Sequence, residues 1–182
     1  MNDLPSPPPL PTIVLVAAMS RDRVIGKKGT LPWHLPAELA HFEGTIRGQV
    51  LLSGRKSYES PQGAGIAQLG RQLLVLTSQP DYQTEFGLVV SDPEIALQET
   101  LRLGADTLYV LGGESVYRWF IGRADRIILT TIHTEVPDGD RYFPEFEETN
   151  FVRYRQWEHP ADEVHPFGFT VNYYQRKTVG ND

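Results

Sequence analysis

Apolar residues gather along the chain in two kinds of run. Residues 12–19, 50–53, 72–76, 108–111 and 126–132 are almost uninterrupted, the pattern of strands covered on both faces of a largely parallel sheet. From Pro36 the spacing changes: Leu39, Phe42 and Ile46 fall three and four residues apart, which predicts a helix opened by Pro36 and stopped by Gly48. Asp92-Pro93-Glu94 predicts another helix, running to Gly104 with Asp92 as its N-cap. Two strand ends pass into glycine turns followed by helical sequence, Gly54 to Ser60 and Gly112 to Tyr117. Residues 151–157 and 167–175 alternate polar with apolar and predict an antiparallel pair. Strands alternating with four helices and ending in a hairpin make an α/β protein.

At 182 residues the chain fits one domain, with no internal repeat and no linker. Pro5, Pro7, Pro8, Pro9 and Pro11 make residues 1–11 an extended tail ahead of a domain spanning 12–178. The composition, 40% hydrophobic and 22% charged, is that of a globular protein with no membrane-spanning run. There is no cysteine and no signal-peptide pattern, so a cytoplasmic location is expected. A net charge of −6 argues against a nucleic-acid partner. No pair among the five histidines has the spacing of a zinc helix, so no metal is expected.

Candidate chemistry concentrates in the loop of residues 24–35 and the helix after it. Gly26, Gly29, Pro32 and Trp33 join a buried strand to a helix whose first turn carries Glu38 on the side of Leu39 and Phe42. Acids are common in first turns, where they complement the helix dipole, but here the acid has apolar neighbours. Arg55 and Lys56 beside Gly54, and Thr77 and Ser78 at the end of the 72–76 strand, put cations and hydroxyls where a phosphate could sit. Arg71 suits a bidentate grip on a carboxylate. Gly112 and Gly113 permit close backbone approach to a nucleotide, though a tight turn would use the same residues.

Leu31-Pro32-Trp33, then Leu35-Pro36-Ala37-Glu38, the Gly54 to Ser60 segment, the glycine pair and Thr130 occur in an order that resembles dihydrofolate reductase from about Thr12 onward. The resemblance implies a single-domain three-layer fold: a mostly parallel sheet of about eight strands, an antiparallel C-terminal hairpin and four flanking helices. It implies NADPH as cofactor, dihydrofolate and antifolate inhibitors as ligands, and a monomer. Glu38 would grip the pteridine through two oxygens, fixed by Thr130. The catalytic loop from Gly26 to Trp33 would act as a lid over the nicotinamide, Leu31 would pack against the folate rings, and Val16, Ala17, Leu39, Phe42 and Ser60 would line the substrate site. Arg71 would take the glutamate tail. Ala18, Ile25, Gly26 and Gly54 to Ser57 (with Arg55 and Lys56) would surround the cofactor. So would Thr77, Ser78, Leu111, Gly112, Gly113, Glu114, Ser115, Val116 and Tyr117. The family's glycine pair is typically joined by a cis peptide.

The chain departs from the pattern at Glu38, where most bacterial members have Asp, at Glu43, at Pro61, and in Gln68-Leu69-Gly70-Arg71. These departures lead us to expect weak binding of trimethoprim. Two other readings share parts of the pattern. A riboflavin-pathway reductase of the same fold would not need the Leu-Pro-Trp loop, Glu38 or Arg71. A non-catalytic folate-binding protein would tolerate loss of the acid or of the cofactor clusters.

Overall fold

The uninterrupted apolar runs become the central strands of one sheet. The computed structural model describes residues 9–178. In chain order its elements are β1 (Thr12–Ser20), β2 (Val24–Gly26), α1 (Pro36–Ile46), β3 (Val50–Gly54), α2 (Arg55–Tyr58), α3 (Gly63–Ala67), β4 (Gln72–Leu76), β5 (Leu88–Val90), α4 (Pro93–Arg102), β6 (Thr107–Val110), α5 (Glu114–Phe120), β7 (Arg126–Ile132), β8 (Arg141–Tyr142), β9 (Phe151–His159) and β10 (Phe169–Arg176). Eight strands form a sheet in the order β5-β4-β3-β6-β1-β7-β10-β9, while β2 and β8 pair separately. Every neighbouring pair from β5 to β7 is parallel, and β10 runs antiparallel to both β7 and β9.

β1 is buried along most of its length because it lies between β6 and β7 with helices over both faces. Its side chains divide by the two-residue period of a strand. Val14 and Val16 enter a core with Trp33, Leu35 and Ile128, against which Ala18 and Phe42 pack on the α1 side. Ile13, Leu15 and Ala17 enter the opposite core with Leu97, Val116 and Phe120 from α4 and α5. A third cluster, Ile46, Leu51, Ala67, Leu73 and Val75, anchors the far end of α1 and the turn of α3.

Where the expected elements differ from the observed ones, short pieces are responsible. Of the five helices among the described residues, α3 falls outside the expected four, since its Gly-Ala-Gly sequence carries no helical stripe. The eighth sheet strand is β5, three residues long, and β2 and β8 are shorter than any periodicity can reveal. Of the proline-rich tail, residues 1–8 lie outside the described residues; Pro9 and Leu10 are exposed and Pro11 is buried. No helix of the described residues is long and apolar enough to cross a membrane.

Candidate active site

The site begins with the first turn of α1. Glu38 is the third residue of that helix and is only 7% exposed. Burial pushes its carboxyl up to about 7, and the Thr130 hydroxyl, hydrogen-bonding to it, pulls the other way. Thr130 is itself buried in β7, where it pairs with Ala18 of β1. Two parallel strands thus place the hydroxyl, and the helix after β1 brings the acid back to meet it. Tyr117 of α5, also buried, donates its hydroxyl to the Val16 carbonyl at 2.6 Å. Burial, and after it the charge of Glu38, hold the Tyr117 phenol far above its ordinary range, so it remains a neutral donor.

Around these polar groups the walls are apolar. Trp33 is 9% exposed and its indole N–H meets no protein acceptor. A buried donor in that state needs water or a ligand. Phe42 is half-buried between two cores, whereas Leu31 and Leu39 stand exposed at the rim. The Ala17 side chain lies in the opposite core, which leaves its backbone as the part that a ring on the α1 side could meet. Ser60 spends its hydroxyl on the Ser57 carbonyl at 2.7 Å. Arg71 is exposed and donates to the Leu103 carbonyl beyond the end of α4, away from α1, so a grip on a tail carboxylate requires its side chain to turn.

The second half of the site is a cradle of backbone. The Gly54 N–H donates to the Gly112 carbonyl at 2.7 Å and the Leu111 N–H to that of Leu52 at 2.8 Å, locking the ends of β3 and β6 together. The Gly112–Gly113 peptide is cis, and Gly112 has φ +97°. A Cβ on Gly112 would meet the Tyr117 ring at 2.5 Å, and one on Gly113 would meet the Ser57 hydroxyl at 2.9 Å. On Gly54 it would stand 3.0 Å from Val116. The side chains of Tyr117, Ser57 and Val116 thus pack against these glycines and leave no room for a Cβ where the turns converge.

Beside the cradle lie the phosphate-suited groups. Arg55 bonds Glu59 at 2.6 Å and lies over the Tyr82 ring, while Lys56 is exposed with no carboxylate at ion-pair distance among the described residues. Thr77 is buried and accepts the Gln79 N–H, and Ser78 is exposed. Glu114 pairs with Arg118 and accepts the Tyr142 N–H, tying α5 to β8, while Ser115 is exposed. Ile25 and Gly26 lie in β2, which β8 holds against the rest of the loop.

One residue at the site escaped the sequence. His165, from the loop between β9 and β10, accepts the Ala37 N–H at 3.0 Å, one position before Glu38. No local spacing could reveal a partner 128 residues away. Two concave surfaces elsewhere, one from Arg23 to Glu148 and one from His133 to Gly168, do not include Glu38 or the glycine cradle.

A family model described as dihydrofolate reductase matches residues 12–176. The chain is 36% identical over 167 residues to dihydrofolate reductase of Bacillus subtilis, covering 91% of this chain and 95% of that protein. It is 37% identical over 174 residues to dihydrofolate reductase HdrB of Haloferax volcanii, covering 90% and 83%. A solved structure of dihydrofolate reductase from Enterococcus faecalis, complexed with NADP(H) and RAB-propyl, superposes with a TM-score of 0.80 at 30% identity, covering 92% of this chain and 97% of that one. The buried acid with its threonine, the loop ending in Trp33 and the glycine turn thus lie within a match spanning nearly the whole described fold, and the chain belongs to the dihydrofolate reductase family.

Proposed function

We propose that the chain reduces 7,8-dihydrofolate to tetrahydrofolate with NADPH, and that the residues gathered around Glu38 and Gly112 carry the reaction. The observation that supports this most is the single buried carboxylate of Glu38, with Thr130 beside it, on the sheet face next to the glycine cradle. A planar ring with an amino group and an adjacent N–H matches two carboxylate oxygens in a dry pocket.

The residues fit a dinucleotide. Glycine turns leave bare backbone that a flat nicotinamide can approach, and Arg55, Lys56, Thr77 and Ser78 offer cations and hydroxyls for phosphates, the 2′-phosphate included. When bound, NADPH supplies the hydride that adds to C6 of dihydrofolate. Everything else falls to the protein. Val16, Phe42 and Leu39 hold the ring in plane, and closure over exposed Leu31 and Leu39 excludes water. N5 gains its proton through a water, with the unpartnered Trp33 N–H as its natural anchor and the Glu38 carboxylate raising the basicity of the ring. Tyr117 keeps the end of β1 fixed through the Val16 carbonyl.

The same reading takes residues 12–178 as one domain, working as a monomer and acting in the cytoplasm. It includes weak trimethoprim binding, since Glu38 reaches one methylene further than Asp. The riboflavin-pathway reading leaves a buried Glu38 without a task, and the binding-protein reading leaves the NADPH-suited cluster without one. The deciding experiment is loss of the NADPH absorbance band with dihydrofolate, run beside Glu38→Gln. Turnover in the wild type that collapses in the variant supports the reading; NADPH binding without turnover overturns it.

A further inference from the structure

The N-terminus of α1 is short of partners. Helices leave their first N–H groups unsatisfied, and a Ser, Thr, Asp or Asn at the N-cap is the usual remedy. Here the N-cap residue is Leu35, which makes no side-chain cap. Pro36 has no N–H to satisfy, and the Leu39 N–H already bonds the Leu35 carbonyl at 3.0 Å. The Ala37 N–H is answered from the other end of the chain, by Nε2 of His165.

An Nε2 that accepts carries no proton, so in the neutral ring the proton is on Nδ1. Nδ1 lies 2.8 Å from Asp162 Oδ1, which accepts it. The same oxygen takes the N–H groups of Val164 and His165, each at 2.9 Å, so the loop's own backbone holds the carboxylate. The His165 ring is 5% exposed and packs beside His159, centroids 4.3 Å apart, which in turn stacks on Phe169.

The ligating atoms of His159, Asp162 and His165 also lie within 4.8 Å of one another, as in a cation site. A metal on Nδ1 of His165 would force the ring proton onto Nε2, pointing a donor at the Ala37 N–H. The hydrogen bonds therefore favour a cap over a metal site.

We propose that His165, held in its Nδ1–H form by Asp162, is a positioning residue: it closes the first turn of α1 and so fixes where the Glu38 carboxylate meets the pteridine. The proposal rests on the dihydrofolate reading given above. It ties the β9–β10 loop to the substrate half of the site and leaves the cofactor half untouched.

The test combines imidazole ¹⁵N NMR of the wild type with steady-state kinetics of variants. The expected spectrum shows Nδ1 protonated and Nε2 bare. His165→Leu, which has no acceptor, is expected to raise KM for dihydrofolate roughly three- to tenfold, the scale of a lost helix cap, with KM for NADPH unchanged. His165→Gln, whose amide oxygen can accept, restores most of that loss, and Asp162→Asn is nearly silent. Should His165→Leu not fold, Asp162→Ala, which keeps the ring but frees it, carries the same expectation at smaller size. A ring protonated on Nε2, equal damage from Leu and Gln, or equal rises in both KM values would overturn the proposal. A wild type that binds NADPH without turning over dihydrofolate would instead remove the functional reading, and the NMR result would still stand for the cap.

Discussion

The two halves of the site handle charge in opposite ways. Around Glu38 one carboxyl is buried, its pKa is displaced, and its partner Thr130 is fixed by strand pairing. Around Gly54 no cation is deeply buried: Lys56 is exposed, and Arg55, half-buried, is already neutralised by Glu59. The acid must sit in one geometry against a rigid ring, so the fold accepts the cost of desolvating it. Phosphates carry several oxygens and several charges, and exposed cations can reach them from many rotamers, so little need be fixed except the backbone. Precision is therefore built into the folate half and adaptability into the cofactor half.

Changing the acid tests that contrast hardest. Glu38→Gln is expected to lower kcat/KM for dihydrofolate by about 10²- to 10⁴-fold near pH 7, because the charge that grips the ring and raises its basicity for the water-borne proton is gone. The same substitution should stabilise the protein in alkali. Because the folded-state pKa of about 7 lies above the ordinary carboxyl value of 4.5, the proton's stabilising effect is complete below the lower value and lost as pH rises through the higher. That loss amounts to about 3 kcal/mol, so melting curves at pH 8 should place the variant above the wild type and at pH 4 beside it. The pH profile of kcat/KM in the wild type should bend near the same value, and the bend should vanish in the variant.

Gly112→Ala comes next. Its Cβ would strike the Tyr117 ring at 2.5 Å from a backbone with φ +97°, so a loss of about 2–3 kcal/mol and of tight NADPH binding is expected by denaturant titration and fluorescence. Glu38→Asp should strengthen trimethoprim inhibition about tenfold, one bond's worth of improved fit, measured as the inhibition constant. Tyr117→Phe removes the 2.6 Å bond and strands the Val16 carbonyl, a loss of about 1–2 kcal/mol in stability. The smallest effect belongs to Lys56→Ala: about 0.5–1 kcal/mol in NADPH affinity, shrinking with added salt, with little change for dihydrofolate. A larger or salt-independent effect there would mean that the cofactor half is as rigid as the folate half.

How much of this was written locally varies along the chain. β1, β7 and the Leu39-Phe42-Ile46 stripe of α1 are long enough for their periods to declare them. Asp92 does cap α4, accepting the Glu94 N–H at 2.7 Å. Glu38 stood out as an acid among apolar residues, and it is buried. β5 and α3 were hidden because three to five residues carry no period. The reach of Arg71 and the face taken by Ala17 depend on rotamer and sheet layer, which spacing alone cannot fix. His165 illustrates the deepest limit: its role exists only once β10 has been laid beside β7.

That order of events bears on how the protein comes off the ribosome. α1 is among the first segments synthesised, yet β1 finds its partners only at Thr107 and Arg126, and the Ala37 cap arrives 128 residues later. A nascent chain halted before His165 has Glu38 but neither the strand beside β7 nor the ring that closes the helix. Ligand binding should therefore switch on abruptly with release of the C-terminal hairpin, and chains truncated within it should be unable to use an antifolate as a folding aid.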